Sequence, residues 1–403
     1  MPRRLVREAF EYELFLLLGT AAALIWANLA PRSYRALVEA ELFAGLAIGT
    51  PTGTGPRVVN VHFVIADGLM AFFFALAAAE VWRALLPGGI LGSRRRAATP
   101  LICAAGGMIA PALIYLLGSS FVEPSGALSH GWAIPTATDV AFSYVVTRAV
   151  FGGGHPAVLF LLMLAIADDA AGLVILAVAY PEGERRLSWL LLTAAAVALA
   201  LLMRRLGARS FWWYLAAPGT LSWLGVDLAG LQPALGLIPI IPAMPHRVSK
   251  EEAQARDRPP AGRAATLDKF IRQWEKPVSL ILGLFGLASA GVPVRAWSPL
   301  AWLVLAALVI GKPAGIWLSG LLSVKALRLD LPRELPLKNL LVVGLAAAIG
   351  FTVSIFLAEA AFAEGPALDA AKLGALGSLS AALPAWILAR AFRVRRIPEE
   401  PDS

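Results

Sequence analysis

Two aspartates, Asp168 and Asp169, stand side by side in LAIADDAAGLVIL (residues 164–176), near the centre of an apolar run from Pro156 to Tyr180. A third, Asp139, follows Thr138 in GWAIPTATDVAF (131–142), and one cation, Lys312, occupies the middle of LAWLVLAALVIGKPAGIWLSGLLSV (300–324). Lys312 lies about 12 residues, or roughly 18 Å at 1.5 Å per residue, from either end of its run, too far to snorkel to water. A lysine at that depth costs at least about 2.5 kcal/mol, so it is expected to face the protein interior and meet an opposite charge. The aspartate pair is the natural partner. Neighbouring helix residues diverge by about 100°, so one aspartate can pair with Lys312 while the other lines a cavity. An ion pair that only locks packing needs one acid rather than three.

Carboxylate, hydroxyl and carbonyl oxygens are the ligands that a hard cation such as Na⁺ prefers. Thr138 with Asp139 and Asp169 could supply them, while Lys312 is the supporting charge for one acid of the adjacent pair, Asp168 or Asp169. A carboxylate in a site of low dielectric is stabilised by a proton or by a cation. Competition between the two at one site, combined with alternating access, exchanges them without covalent chemistry. Asp139 has a second possible role as counter-charge, because partial charges of about half an electron gather where helix ends meet. Lys312 would correspondingly sit near negative ends. Two other classes compete. An intramembrane aspartyl protease also needs two acids, but on separate helices and with one in a G-x-G-D context, which is absent here. A passive cation channel would need a filter-like loop, and none is evident.

The elements that must position these groups are hydrophobic helices. Of 403 residues, 58% are hydrophobic and 15% charged, and the mean hydropathy is +0.71. Runs of about 20 apolar residues recur from end to end, so the chain is expected to be an all-α polytopic membrane protein forming one transporter domain over 1–403. Twelve spans are expected, at about 13–30, 61–86, 98–118, 131–149, 156–180, 187–203, 210–226, 229–244, 277–294, 299–322, 337–362 and 371–392. With both termini cytoplasmic, the inner loops and helix ends carry 27 of the 35 Lys and Arg, as the positive-inside rule requires. Residues 31–60 are expected to form an extracytoplasmic loop, with TPTGTGP (50–56) as a hairpin turn. Residues 245–276 are expected as a cytoplasmic linker and 393–403 as a cytoplasmic tail. Pro135 interrupts the fourth span, and Gly344 with Gly350 interrupts the eleventh in VGLAAAIGFTVSIF (343–356). Spans 3–5 and 10–12 look like corresponding units, and paired interrupted segments of this kind point to a transporter site near the bilayer midplane.

With ADGLMAFFF, GGMIAPALIY, GWAIPTATDVAF, LAIADDAAGLVIL, LASAGV, IGKPAGI and VVGLAAAIGFTVSIFLAEAAF, the sequence resembles the NhaA family of bacterial sodium/proton antiporters over most of its length. The resemblance implies inverted-topology repeats and two interrupted helices that cross. It implies ligand roles for Asp168 and Asp169, a supporting role for Thr138 and Asp139 at the crossing, and pairing of Lys312 with Asp168. It also implies electrogenic exchange of cytoplasmic Na⁺ or Li⁺ for external protons, a bacterial inner-membrane location, and a homodimer with contacts through the hairpin. The departures fall in the pH-sensing region: Ala84 stands one turn after Glu80 where a second glutamate is common, LAGLQPALG with Gln232 replaces the histidine-bearing stretch of the eighth span, and IRQWEKPVSL lacks the usual histidine and proline pattern.

Other signals are weaker. Asp67, inside the second span, is a candidate for a polar vestibule or a helix–helix hydrogen bond. Glu80 is a candidate pH-sensing residue that can pair with Arg83 at i, i+3. Four scattered histidines have no metal-ligand spacing, and Cys103 sits in an apolar segment where it packs. No G-x-x-x-x-G-K-[ST] motif supports ATP-driven transport. The net charge of +8 has no soluble basic domain behind it, so no nucleic-acid partner and no cofactor are expected.

Overall fold

A computed structural model describes residues 2–42, 58–86, 89–91, 94–181, 185–246, 265–332 and 334–398. The predicted turn at 50–56 and residues 247–264 of the linker lie outside them. The helices are α1 (Pro2–Leu29), α2 (Val61–Leu85), α3 (Arg94–Val122), α4 (Val140–Phe151), α5 (Pro156–Ala179), α6 (Leu187–Arg205), α7 (211–228) and α8 (Thr266–Ser289). Beyond these lie α9 (Pro299–Lys325), α10 (Asn339–Ala347), α11 (Phe351–Ala361) and α12 (Pro366–Ala391). Among the described residues there is no strand. An isolated antiparallel bridge joins Glu41 to Asn60, at the two ends of the predicted hairpin. Among the described residues six helices (α2, α3, α5, α6, α9 and α12) are long and apolar enough to cross a membrane unaided, and α10 with α11 makes a seventh candidate bent by 54°. The chain is therefore a multi-pass membrane protein.

Two expectations differ from the structure. Residues 229–244, read as a helical span, form short 3₁₀ turns at Pro233–Leu235 and Ile238–Ala243. Pro233, Pro239 and Pro242 each lack an amide donor, so a continuous α-helical ladder cannot run through them. The linker predicted over 245–276 gives way to α8 at Thr266. Leu267, Phe270 and Ile271 are all buried there, at the i, i+3, i+4 spacing of a helix face. Trp274, on the next turn, stacks on Phe72 at 4.1 Å.

The helices cluster into two compact units. The unit formed by 15–92 and 173–291 is packed around Ala75, Ala79, Ala200, Phe211, Ile240 and Phe270. Within it α1 approaches α8 closely, the backbone of Phe15 lying against Gly283. The Tyr34 hydroxyl, on the short helix Pro31–Val38, donates to the Leu287 carbonyl at 2.8 Å.

The other unit, from 93–172 and 292–403 with the first fourteen residues, has a core that includes Cys103, Phe160, Leu164, Ile316, Leu340 and Val343. Here α3 and α9 run antiparallel: Gly106 faces Gly315, Pro111 faces Gly311, and Gly118 faces Leu303. The contact is backbone on backbone, for a Cβ on Gly315 would lie 2.1 Å from the Gly106 carbonyl oxygen. Small residues permit such approach, and dispersion holds it where lipid offers no hydrophobic drive. Pro313 removes one rung of the α9 ladder, and the residues before it, Ala307–Gly311, widen into a π-helical turn. A π turn adds a residue per turn and so re-aims the next helical segment, which begins with Lys312.

Between α4 and α5 the chain reverses over 152–155. Gly152 has φ +87, and a Cβ there would meet the Ile397 carbonyl oxygen at 2.3 Å, so glycine is required twice over. The amide of Ile397 donates to the Phe151 carbonyl at 2.9 Å and that of Gly154 to the Ile397 carbonyl at 3.1 Å, pairing the C-terminal segment with this loop. His155 then caps α5, its Nδ1 accepting from the Ala157 amide at 3.0 Å. That acceptor exists only in the neutral imidazole. Burial pushes the His155 pKa below its ordinary value, opposed in part by the Glu334 carboxylate.

Two outcomes are expected from this packing. Gly315→Ala should force α3 from α9 and lower the thermal midpoint in detergent; an unchanged midpoint would mean the two helices are not in backbone contact. Below about pH 6.5 the unfolded chain protonates His155 before the native one does, so stability falls as pH drops toward the depressed native value. His155→Ser keeps a capping oxygen that does not titrate, and its midpoint should fall less than the parent's between about pH 7 and pH 5.5. Parallel curves would remove His155 from the cause.

Candidate functional site

Among the described residues of the 93–172/292–403 unit, two stretches leave α-helical hydrogen bonding and lie against each other. A 3₁₀ helix, Ser129–Thr136, ends in extended backbone at 137–139 before α4 begins at Val140. α10 ends at Ala347, and α11 resumes at Phe351 after the 54° bend. A broken helix in an apolar setting leaves amides and carbonyls that must be satisfied by protein. The two breaks satisfy each other. The Asp139 amide donates to the Ile349 carbonyl at 2.7 Å, Ser143 Oγ donates to the Ala346 carbonyl at 2.8 Å, and Ser354 Oγ donates to the Ile134 carbonyl at 2.7 Å. Gly350 lies close to the other stretch, a Cβ built on it falling 3.1 Å from the Ala137 carbonyl oxygen.

Asp139 sits between the starts of α4 and α11. Its Oδ1 accepts from the Phe142 amide at 3.3 Å, and its Oδ2 accepts from the Thr352 hydroxyl at 2.7 Å and the Thr352 amide at 3.3 Å. One carboxylate thus caps two helix N-termini whose partial positive charges would otherwise face each other. Lys312 makes the complementary contact, donating from Nζ to the carbonyl of Thr136, the last residue of the 3₁₀ helix. It has no exposed surface.

Asp168 of α5 completes the cluster. Its Oδ2 lies 3.0 Å from Lys312 Nζ and accepts from the Thr138 hydroxyl at 2.7 Å. Its Oδ1 is buried and has no hydrogen-bond partner among the described residues. The Thr138 hydroxyl carries one proton and has two acceptors, Asp168 Oδ2 and the Ala347 carbonyl, the second at 3.0 Å. While Asp168 is ionised the proton points to it; once Asp168 carries a proton of its own, the hydroxyl can accept from the acid and turn its hydrogen to Ala347. Asp169 is half-buried, and its charge also acts on Lys312.

The structure therefore brings Thr138, Asp139, Asp168, Asp169 and Lys312 together. The remaining sequence candidates belong to the other unit. Asp67 is buried in the π-helical turn Val64–Leu69 of α2, and its backbone carbonyl accepts from Trp223 Nε1 at 3.1 Å. Glu80 is exposed and feels the charges of Arg83 and of Glu275 on α8. Ala84 and Gln232 are both buried. Thr352 is a partner of Asp139 that sequence reasoning misses; its position two residues past Gly350, at a helix start, is the available signal. The acceptors at Thr136, Ala347 and Ile349 are backbone carbonyls, which no side-chain pattern announces.

The fold is similar to that of a solved structure, the sodium proton antiporter MjNhaP1 from Methanocaldococcus jannaschii, with a TM-score of 0.52 over 95% of this chain and 90% of that one at 16% identity. The family is closer. The chain belongs to the family described as Na+/H+ antiporter 1, whose pattern matches residues 3–389. Proteins described as Na(+)/H(+) antiporter NhaA from Jannaschia sp. (strain CCS1) and Geobacter sulfurreducens are 45% and 42% identical to it, each covering 96% of this chain and 97% and 98% of their own lengths.

Removing one member of a buried ion pair typically costs about 3–5 kcal/mol, because the other charge is stranded. Lys312→Ala should therefore lower the thermal midpoint by several degrees, and Asp168→Asn placed on top of it should restore part of the loss. A double variant no more stable than Lys312→Ala would argue that the two groups do not interact.

Proposed function

We propose that this chain is a secondary active transporter that exchanges cytoplasmic Na⁺ or Li⁺ for external protons across the bacterial inner membrane, contributing to sodium and pH homeostasis. Family membership supports the reaction class. The observation that carries the assignment to particular residues is the buried Asp168 carboxylate, with one oxygen held by Lys312 and Thr138 and the other without a hydrogen-bond partner among the described residues.

In this reading Asp168 Oδ1 and the Asp169 carboxylate are the principal ligands of the transported cation. The Thr138 hydroxyl oxygen and the carbonyls freed at the breaks are within the same cluster to complete an oxygen shell. Protonation of these acids and binding of the cation are mutually exclusive, since each neutralises the same charge. Lys312 balances Asp168 when neither ligand is present. Both oxygens of Asp139 already accept protein donors, which favours its role as counter-charge to the two helix starts over direct ligation. Two protons for one monovalent cation would make the cycle electrogenic.

The architecture that goes with this reading is twelve spans, with both termini cytoplasmic and residues 131–151 and 337–362 as the interrupted, crossing fourth and eleventh spans. The antiparallel α3 and α9 are then the leading helices of two inverted repeats. Residues 31–60 form an extracytoplasmic hairpin that contributes to a homodimer. No observation favours the protease or channel readings: a hydrolase has no use for a fully buried ammonium on one of its acids, and an ion-neutralised site is poorly suited to passive flow.

In everted vesicles bearing a proton gradient and a pH dye, Na⁺ or Li⁺ should dissipate the gradient. Asp169→Asn should reduce that response by at least about 100-fold while the protein remains inserted, because a neutral amide cannot exchange a proton for a cation. Normal exchange in this variant would reject the ligand assignment.

A further inference from the structure

The C-terminal end of α12 carries a feature that ion exchange does not use. A cavity of about 360 Å³ opens between the last turns of α4 and α12, lined by Ala149, Trp386, Arg390, Arg393 and Arg396. Among the described residues no carboxylate pairs with any of the three arginines. Two of the three guanidinium groups are nonetheless held. Arg390 lies 3.8 Å from the centre of the Trp386 ring, a cation–π contact. Arg396 donates from Nη2 to the Ala149 carbonyl at 2.6 Å, capping α4. Arg393 occupies the left-handed position that ends α12, with φ +52, while the Val394 amide closes the turn onto the Ala389 carbonyl at 3.0 Å. Glycine is the ordinary residue there, so an arginine is kept against backbone preference.

Three guanidinium groups lining one concavity, two of them held in place, match a phosphate diester, which guanidinium recognises through paired N–H donors. The wall continues as apolar surface. Leu383, Trp386 and Ile387, one to two turns before Arg390, are all substantially exposed on a helix that crosses the membrane. A free phosphate would use the arginines alone, whereas a lipid would use both, its headgroup in the cavity and its acyl chains along the stripe. We propose that this cavity binds the headgroup of an anionic phospholipid at the membrane boundary, bracing the end of α4 against α12. The proposal needs only the membrane-spanning fold and is independent of the ion-site assignments.

Full-length protein purified in detergent tests it with added phosphatidylglycerol, phosphatidylcholine or inorganic phosphate at matched concentrations, read as the shift in thermal midpoint. Phosphatidylglycerol should raise the midpoint, phosphatidylcholine and phosphate should not, and Arg390→Gln/Arg393→Gln/Arg396→Gln should lose more than half of the rise. Arg393→Gly serves if the triple variant folds poorly: it relieves the backbone, so its lipid-free midpoint should increase while its response to lipid shrinks. An equal response in variant and parent would place the lipid elsewhere and overturn the proposal, as would a rise with inorganic phosphate of the same size. Sodium-dependent exchange measured on the same variants reports separately on the ion site.

Discussion

A lysine ammonium with no exposed surface is tolerable only beside an acceptor and a counter-charge, and Lys312 has both in the Thr136 carbonyl and Asp168. Much of the surrounding architecture answers that requirement. The π turn before Pro313 re-aims α9 where Lys312 begins its next segment. The glycine-lined contact of α3 with α9 keeps the lysine within the bundle, and the end of the 3₁₀ helix supplies the carbonyl that it reaches.

The same logic in reverse governs Asp139. Two helix starts converge at one place, and a single carboxylate accepts from both. Opposite charges are thus assigned to opposite helix ends, Lys312 to a carbonyl end and Asp139 to two amide ends, before any cargo is considered. Asp168 is left with one oxygen committed and the other not. Its two oxygens are therefore unequal, one held by Lys312 and Thr138 and the other without a hydrogen-bond partner among the described residues.

Charged residues in apolar runs have few explanations, which is why Asp139, Asp168, Asp169 and Lys312 are legible from sequence. Which aspartate takes the lysine is not legible from spacing; only the resemblance points to Asp168. The antiparallel glycine contact is hidden as well, because Gly106 and Gly315 lie far apart in the chain and small residues are common in membrane helices. Residues 229–244 read as helix because apolar composition does not distinguish an α-helix from successive 3₁₀ turns, although Pro233, Pro239 and Pro242 carry the correct signal. The start of α8 is misplaced for the opposite reason: charges in TLDKFIRQWEK suggest a linker, while the spacing of Leu267, Phe270 and Ile271 already encodes a buried face.

The mutual stitching of the two breaks also has a mechanical meaning. Hydrogen bonds at Asp139, Ser143, Thr352 and Ser354 lock 134–143 to 346–354, so neither half can yield without tearing several of them at once in a medium that offers no water as a substitute. Such a knot is stiff. Work done on any of its four arms is carried through the centre as displacement of the whole, and the compliance of the molecule must reside in the surrounding connections instead.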